Sequence, residues 1–124
     1  MNILRKVDSG GRLSKEELIW LLESEGYYTN ELKKGYHRNE ARFYANQYNK
    51  TKDYWSAINA SSHYRKCGKS DTAHSMLKTI DVSRLKNKKL RSALFTTHGG
   101  VKRDLGQKNE ALNLGEQAHL LTQQ

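Results

Sequence analysis

The sequence predicts an all-α protein. Three observations carry that prediction. Apolar residues recur at three- and four-residue intervals through most of the chain, no segment sustains a period-two alternation, and proline is absent. Average usage would give roughly six prolines in a chain of this length. Without them the common helix breaker is missing, and nine glycines take over the punctuation.

The elements follow in order. Residues 1–13, with "DSGG" at their centre, read as a flexible lead-in. Ser14 and Glu17 have capping-box spacing, and Leu18, Ile19, Leu21 and Leu22 give an apolar face, so a helix is expected over about 14–25, stopped by Gly26. Thr29 is a candidate cap for a short helix, with Gly35 either ending it or lying inside it. From about Arg38 the spacing of Ala41, Phe43, Tyr44, Ala45 and Tyr48 is helical again. "NKTKD" at 49–53 is a junction, with Thr51 or Asp53 capping the next helix. That helix carries Trp55, Ala57, Ile58, Ala60 and Tyr64 and stops at Gly68. Ser70 or Asp71 then caps a helix with Ala73, Met76, Leu77 and Ile80. Another runs from about Asn87 to Leu105, stopped by Gly106, and "QKNEALNLGEQAHLLT" forms the last. The count is about six helices.

Composition bounds the function classes. The 124 residues suit one domain or a piece of a larger array. Mean hydropathy of −0.92 is low, but seven Tyr, two Trp and two Phe argue against disorder and for an elongated, ordered fold. The single Cys67 excludes an internal disulfide framework and fits a reducing, cytoplasmic compartment. No apolar run reaches membrane-spanning length, so a membrane is not expected as a partner. The net charge of +9 attracts polyanions, whether nucleic acid or an acidic protein segment.

Internal similarity is the strongest pattern. "YRKCGKSDTAHSMLKTI" (64–80) aligns with "KRDLGQKNEALNLGEQA" (102–118): Gly68 with Gly106, Ala73 with Ala111, Leu77 with Gly115, Ile80 with Ala118, each 38 positions apart. Both read helix, glycine, polar turn, then a helix with small or apolar residues at three- to seven-residue intervals. With Phe95, Gly99, Gly106, Ala111 and Ala118 in one unit and Ala57, Ala60, Tyr64, Gly68, Ala73 and Leu77 in the other, the chain resembles the tetratricopeptide repeat family. It departs from that pattern at His98, Lys102 and Gly115, lacks the closing proline, and exceeds the family's usual spacing of about 34 residues. The resemblance implies a single helical-repeat domain over 14–124, with units at about 14–50, 54–87 and 92–124. Their antiparallel hairpins would stack as a short right-handed superhelix.

The resemblance also implies a concave groove for peptides. It would be lined by Trp55, Ile58, Asn59, Ser62, Arg65 and Lys66 from one unit, and by Thr96, Thr97, Gly100 and Arg103 from the next. Arg65, Lys66 and Arg103 would hold an acidic segment by charge-assisted bonds. The Lys/Asn pattern that clamps chaperone tails is not reproduced.

Other candidates weigh less. Arg84, Lys86, Lys88, Lys89, Arg91 and Lys102, with Arg103, form a basic run free of acidic residues, a candidate patch for DNA or RNA backbones. A second run, Lys33, Lys34, Arg38, Arg42, Lys50 and Lys52, is interleaved with Tyr36, Phe43, Tyr44, Tyr48, Tyr54 and Trp55; the helical spacing of Phe43, Tyr44 and Tyr48 favours core over base stacking. His63, Cys67 and His74 lack the four-ligand spacing of a zinc site and read as a buried thiol beside surface histidines. Glu16, Glu17, Glu23 and Glu25 read as a solvated helix face. "GGVKRDLG" lacks the strand-to-helix context and GK[ST] ending of a phosphate loop, so its glycines are expected to bring helices together. No catalytic constellation and no cofactor are expected. The expectation is a non-enzymatic interaction module. Leu112, Leu114, Leu120 and Leu121 in the last helix, with no polar cap after them, imply that the chain continues or that this end meets another copy.

Overall fold

A computed structural model describes residues 3–23 and 30–122. It is all-helical, with no strand among the described residues. The elements are α1 (Ile3–Asp8), α2 (Lys15–Glu23), α3 (Asn30–Thr51), α4 (Tyr54–Lys66), α5 (Ser70–Leu77), a 3-10 turn (Val82–Arg84), α6 (Lys88–Asp104) and α7 (Lys108–Thr122). None of these helices is long and apolar enough to cross a membrane.

The first residues correct the expectation of a loose lead-in. Ile3 and Val7 of α1 are buried with Leu21 and Leu32, and the Val7 carbonyl accepts a 2.8 Å bond from the buried Asn39 amide. Two apolar positions one turn apart are enough to dock a six-residue helix, a signal too brief for periodicity to register. Gly35 lies inside α3, not at its end. A Cβ there would come within 2.9 Å of Val7 Cγ1, so glycine lets α1 cross α3.

The capping box forms: Glu17 N donates to Ser14 Oγ at 3.1 Å, and Ser14 N to Glu17 Oε1 at 2.9 Å. Glu17 is not on a solvated face, as the sequence suggested. It is buried, and Lys6 Nζ reaches it at 2.6 Å. Those donors hold its carboxyl down at about 2, the Lys6 bond counting most. The stops at Gly26 and the cap at Thr29 lie outside the described residues.

α3 is followed by Lys52, a non-glycine residue at φ +57°, after which the Asp53 carboxylate caps α4 through Trp55 N. Gly68 and Gly106, both at left-handed φ, end α4 and α6 as expected. The expected cap of α5 does not form. Lys69 takes that position without a side-chain bond, and the Ser70 hydroxyl turns instead to Asp104 of α6 at 2.9 Å. Asn87 caps α6 through Leu90 N.

The main core gathers Ala57 and Ile58 of α4, Ala73, Leu77 and Ile80 around α5, and Leu90, Leu94 and Val101 of α6. Tyr48, Tyr54 and Tyr64 pack against its edge. The aromatic run divides: Tyr48 and Tyr54 pack against this core, Phe43 lies half-buried under the Arg12 guanidinium at 3.7 Å, Tyr44 stacks on His63, and Trp55 stays exposed. α6 is the central element, touching α4, α5 and α7.

Candidate functional site

The floor of the candidate site is one face of α6, with Lys88/Lys89, Ser92, Thr96, Gly99/Gly100 and Arg103 in register at helical spacing. Gly106 turns the chain so that α7 returns antiparallel, as two contacts fix. Ser92 Oγ donates to the Ala118 carbonyl near one end, and Lys102 Nζ meets Glu110 at 2.8 Å near the other. Gly99 permits that closeness, since a Cβ there would lie 3.3 Å from the Ala111 carbonyl. The glycines of "GGVKRDLG" bring helices together.

Between α6 and α7 lies an open groove of about 1080 Å³. Small residues of both helices, Gly99, Gly100, Ala111, Gly115 and Ala118, line it, and Leu112 and Leu120 rise at its rim, 67% and 58% exposed. Arg103, Lys108, Glu116 and His119 supply its polar edge. Arg65 reaches in from α4, lying so closely over Gly100 that a Cβ there would overlap its guanidinium. A smaller hollow of about 620 Å³ adjoins it, sharing Ser92 and Thr122, and is lined by Trp55, Lys88 and Lys89.

The charges around the groove fall into two kinds. Arg65 donates to Asp104 at 2.8 Å and Lys102 to Glu110 at 2.8 Å, and these bonds are the largest cause that draws both carboxyls below their ordinary values. Arg103 and Lys108 make no ion pair among the described residues, nor do Lys88 and Lys89. Unpaired cations therefore stand in the groove wall at Arg103 and Lys108, alongside the carboxylate of Glu116, and in the adjoining hollow at Lys88 and Lys89.

Of the expected groove residues, Arg65, Thr96, Gly100 and Arg103 line the main groove and Trp55, 38% exposed, the smaller hollow. Ile58 is a correction: it is buried in the main core, because the α4 face bearing Ala57 and Ile58 turns toward α5 and α6. Asn59 and Lys66 are exposed, and Ser62 and Thr97 half-buried, but none lies in the groove wall. The basic run does not act as one patch. Arg84 pairs with Asp81 at 3.2 Å, and Lys102 is only 15% exposed against Glu110. Arg91 is half-buried, its Nε without a hydrogen-bond partner. Lys86, Lys88 and Lys89 remain exposed. The sequence singled out Leu112 and Leu120 of α7 only for a contact with another copy or a continuing chain, not as a wall of the peptide groove. The signal for it was Gly115 standing where the other unit has Leu77.

The two histidines considered for metal, His63 and His74, each pair with a further histidine. His63 and His37 bring their Nδ1 atoms to 2.9 Å across α3 and α4, and His74 Nδ1 lies 3.1 Å from His98 Nε2 across α5 and α6. Burial is the main cause that lowers all four, His37 down to about 4 with help from His63, Lys66 and Lys33. Cys67 donates to the Tyr64 carbonyl, and burial raises its thiol. Among the described residues no three His, Cys, Asp or Glu side chains converge on a point that could hold a metal ion. Comparison with known proteins found no match to a protein-family model, a curated protein or a solved structure.

Proposed function

We propose that the chain is a non-catalytic interaction module that takes an acidic protein or peptide segment into the groove between α6 and α7. The observation that carries this reading is the division of its cations. Arg65 and Lys102 are satisfied internally, while Arg103 and Lys108 stand unpaired beside an apolar trough. An apolar floor with charge at its edges supplies affinity from burial and selectivity from the sign of the charge.

The test is fluorescence anisotropy of the whole chain with labelled leucine-containing peptides of acidic and basic design. The acidic peptide should bind at least about tenfold more tightly, and reversing Arg103 and Lys108 to Glu should erase the preference. Equal binding of both peptides would sink the reading.

A second reading has one observation in its favour: Trp55 stands partly exposed beside Lys88 and Lys89, an aromatic face next to phosphate-seeking charge. Oligonucleotide binding that falls steeply between about 50 and 200 mM salt and is lost on K88E/K89E would replace the first reading.

A further inference from the structure

We infer that the occupant of the α6–α7 groove is an amphipathic α-helix from an acidic partner, which inserts a bulky apolar side chain over Gly115. This rests on the reading of the groove as a site for an acidic segment and adds its conformation and its anchor.

The chain contains its own precedent. Helix α6 lies against both α4 and α5, its Leu90, Leu94 and Val101 sharing one cluster with Ala73, Leu77 and Ile80. The positions 38 residues further on are Ala111, Gly115 and Ala118. At the first set Ala73, Leu77 and Ile80 are all buried beneath a helix. At the second only Ala118 is buried, Ala111 is half-buried and Gly115 is exposed. The α4–α5 pair receives a helix, and among the described residues the α6–α7 pair receives none.

The length of α6 and the lining of the groove set what such a guest would meet. An α-helix with its side chains is about 10–12 Å across, and one matching the 17 residues of α6 is about 25 Å long. Where Leu77 is buried in the core around α5, Gly115 is exposed in the groove wall, with nothing within 4 Å of a Cβ built there. A guest helix lying over this open stretch has room for a large apolar residue above Gly115 and for smaller ones beside Leu112 and Leu120. The charge decides which helix. Another copy of this chain brings +9 to a groove whose two unpaired cations, Arg103 and Lys108, outnumber its one carboxylate, Glu116, whereas an acidic helix meets both cations as opposite charges. Lying in a groove on its apolar face, such a helix satisfies its own backbone, so no row of main-chain partners is required.

Two labelled peptides of about 17 residues distinguish the outcomes. Both carry leucines at i, i+4 and i+11, the spacing of Leu90, Leu94 and Val101, a central tryptophan and glutamates on the remaining face; one has a proline in mid-sequence to forbid the helix. The helical peptide should bind the whole chain at least about tenfold more tightly than its proline twin. Gly115→Leu, which adds a side chain into open space and leaves the fold intact by circular dichroism, should weaken it by a similar factor. Equal binding of the two peptides would overturn the helical guest while leaving the acidic groove in place. Binding insensitive to Gly115→Leu would overturn the anchor. No binding by either would overturn the groove reading itself. Sedimentation of the free chain as a dimer that Gly115→Leu dissociates would assign the groove to a second copy and overturn the acidic partner.

Discussion

Acidification from pH 7.5 to 5 should destabilise this fold through the His37–His63 pair. His37 is 6% exposed, shares its Nδ1 hydrogen bond with His63, and sits near Lys66 and Lys33, with Glu40 opposing them. Its folded value is about 4 against an ordinary 6.5. Above pH 6.5 neither state holds the extra proton, so stability does not depend on this ring. As pH falls from 6.5 toward 4, the unfolded chain takes a proton that the folded chain refuses, and stability drops. Below about 4 both states bind it and the loss is complete. At pH 5 the cost from His37 alone is about 1–2 kcal/mol. His63, His74 and His98 are lowered by the same burial and add in the same direction. Double protonation would also leave two donors facing each other across 2.9 Å, with no acceptor between them. The assay is urea unfolding followed by far-ultraviolet circular dichroism at pH 5, 6 and 7.5 and constant ionic strength, for the native chain and for His37→Gln. The midpoint should fall on acidification in the native chain and fall less in the variant. A midpoint independent of pH, or the same pH slope in both proteins, would refute the reasoning.

Gly35→Ala and Gly115→Ala should move stability in opposite directions. The first gains about 1 kcal/mol of helix propensity but drives a Cβ into the stiff, buried Val7, a net loss of about 1 kcal/mol or more; the second meets only open space and should gain about 0.5–1 kcal/mol. Chemical denaturation of both variants checks the pair, and equal signs would show that α1 does not press on α3. Lys52→Gly should stabilise by about 1 kcal/mol, because Lys52 holds φ +57° where glycine carries no Cβ penalty; a lower melting temperature in a thermal scan would contradict this. Leu94→Ala, emptying a side chain 1% exposed at the centre of α6, should cost about 2–5 kcal/mol in the same denaturation assay.

Much of the architecture was legible in local spacing. The Ser14–Glu17 box, the Asp53 and Asn87 caps and the Gly68 and Gly106 stops depend on bonds or angles within a few residues, which the sequence displays directly. The misreadings share one cause. Ser70 looked like a cap, but its hydroxyl is claimed by Asp104, 34 positions away. Glu17 looked solvated until Lys6 arrived from α1, and Lys102 looked like part of a basic patch until Glu110 of α7 met it.

By itself the sequence determined the helical class, the sites where most helices stop, the surplus of positive charge and the 38-residue self-similarity, because each is a property of spacing or composition. Only the tertiary structure decided which charges are paired. A lysine or arginine is unpaired in ways a ligand can use only when no carboxylate from another helix reaches it, and that depends on how α4, α6 and α7 lie across one another. It also decided that of the aligned pair Leu77 and Gly115 the first is buried in the core while the second lies on an open groove wall, since burial depends on which helices cover a position.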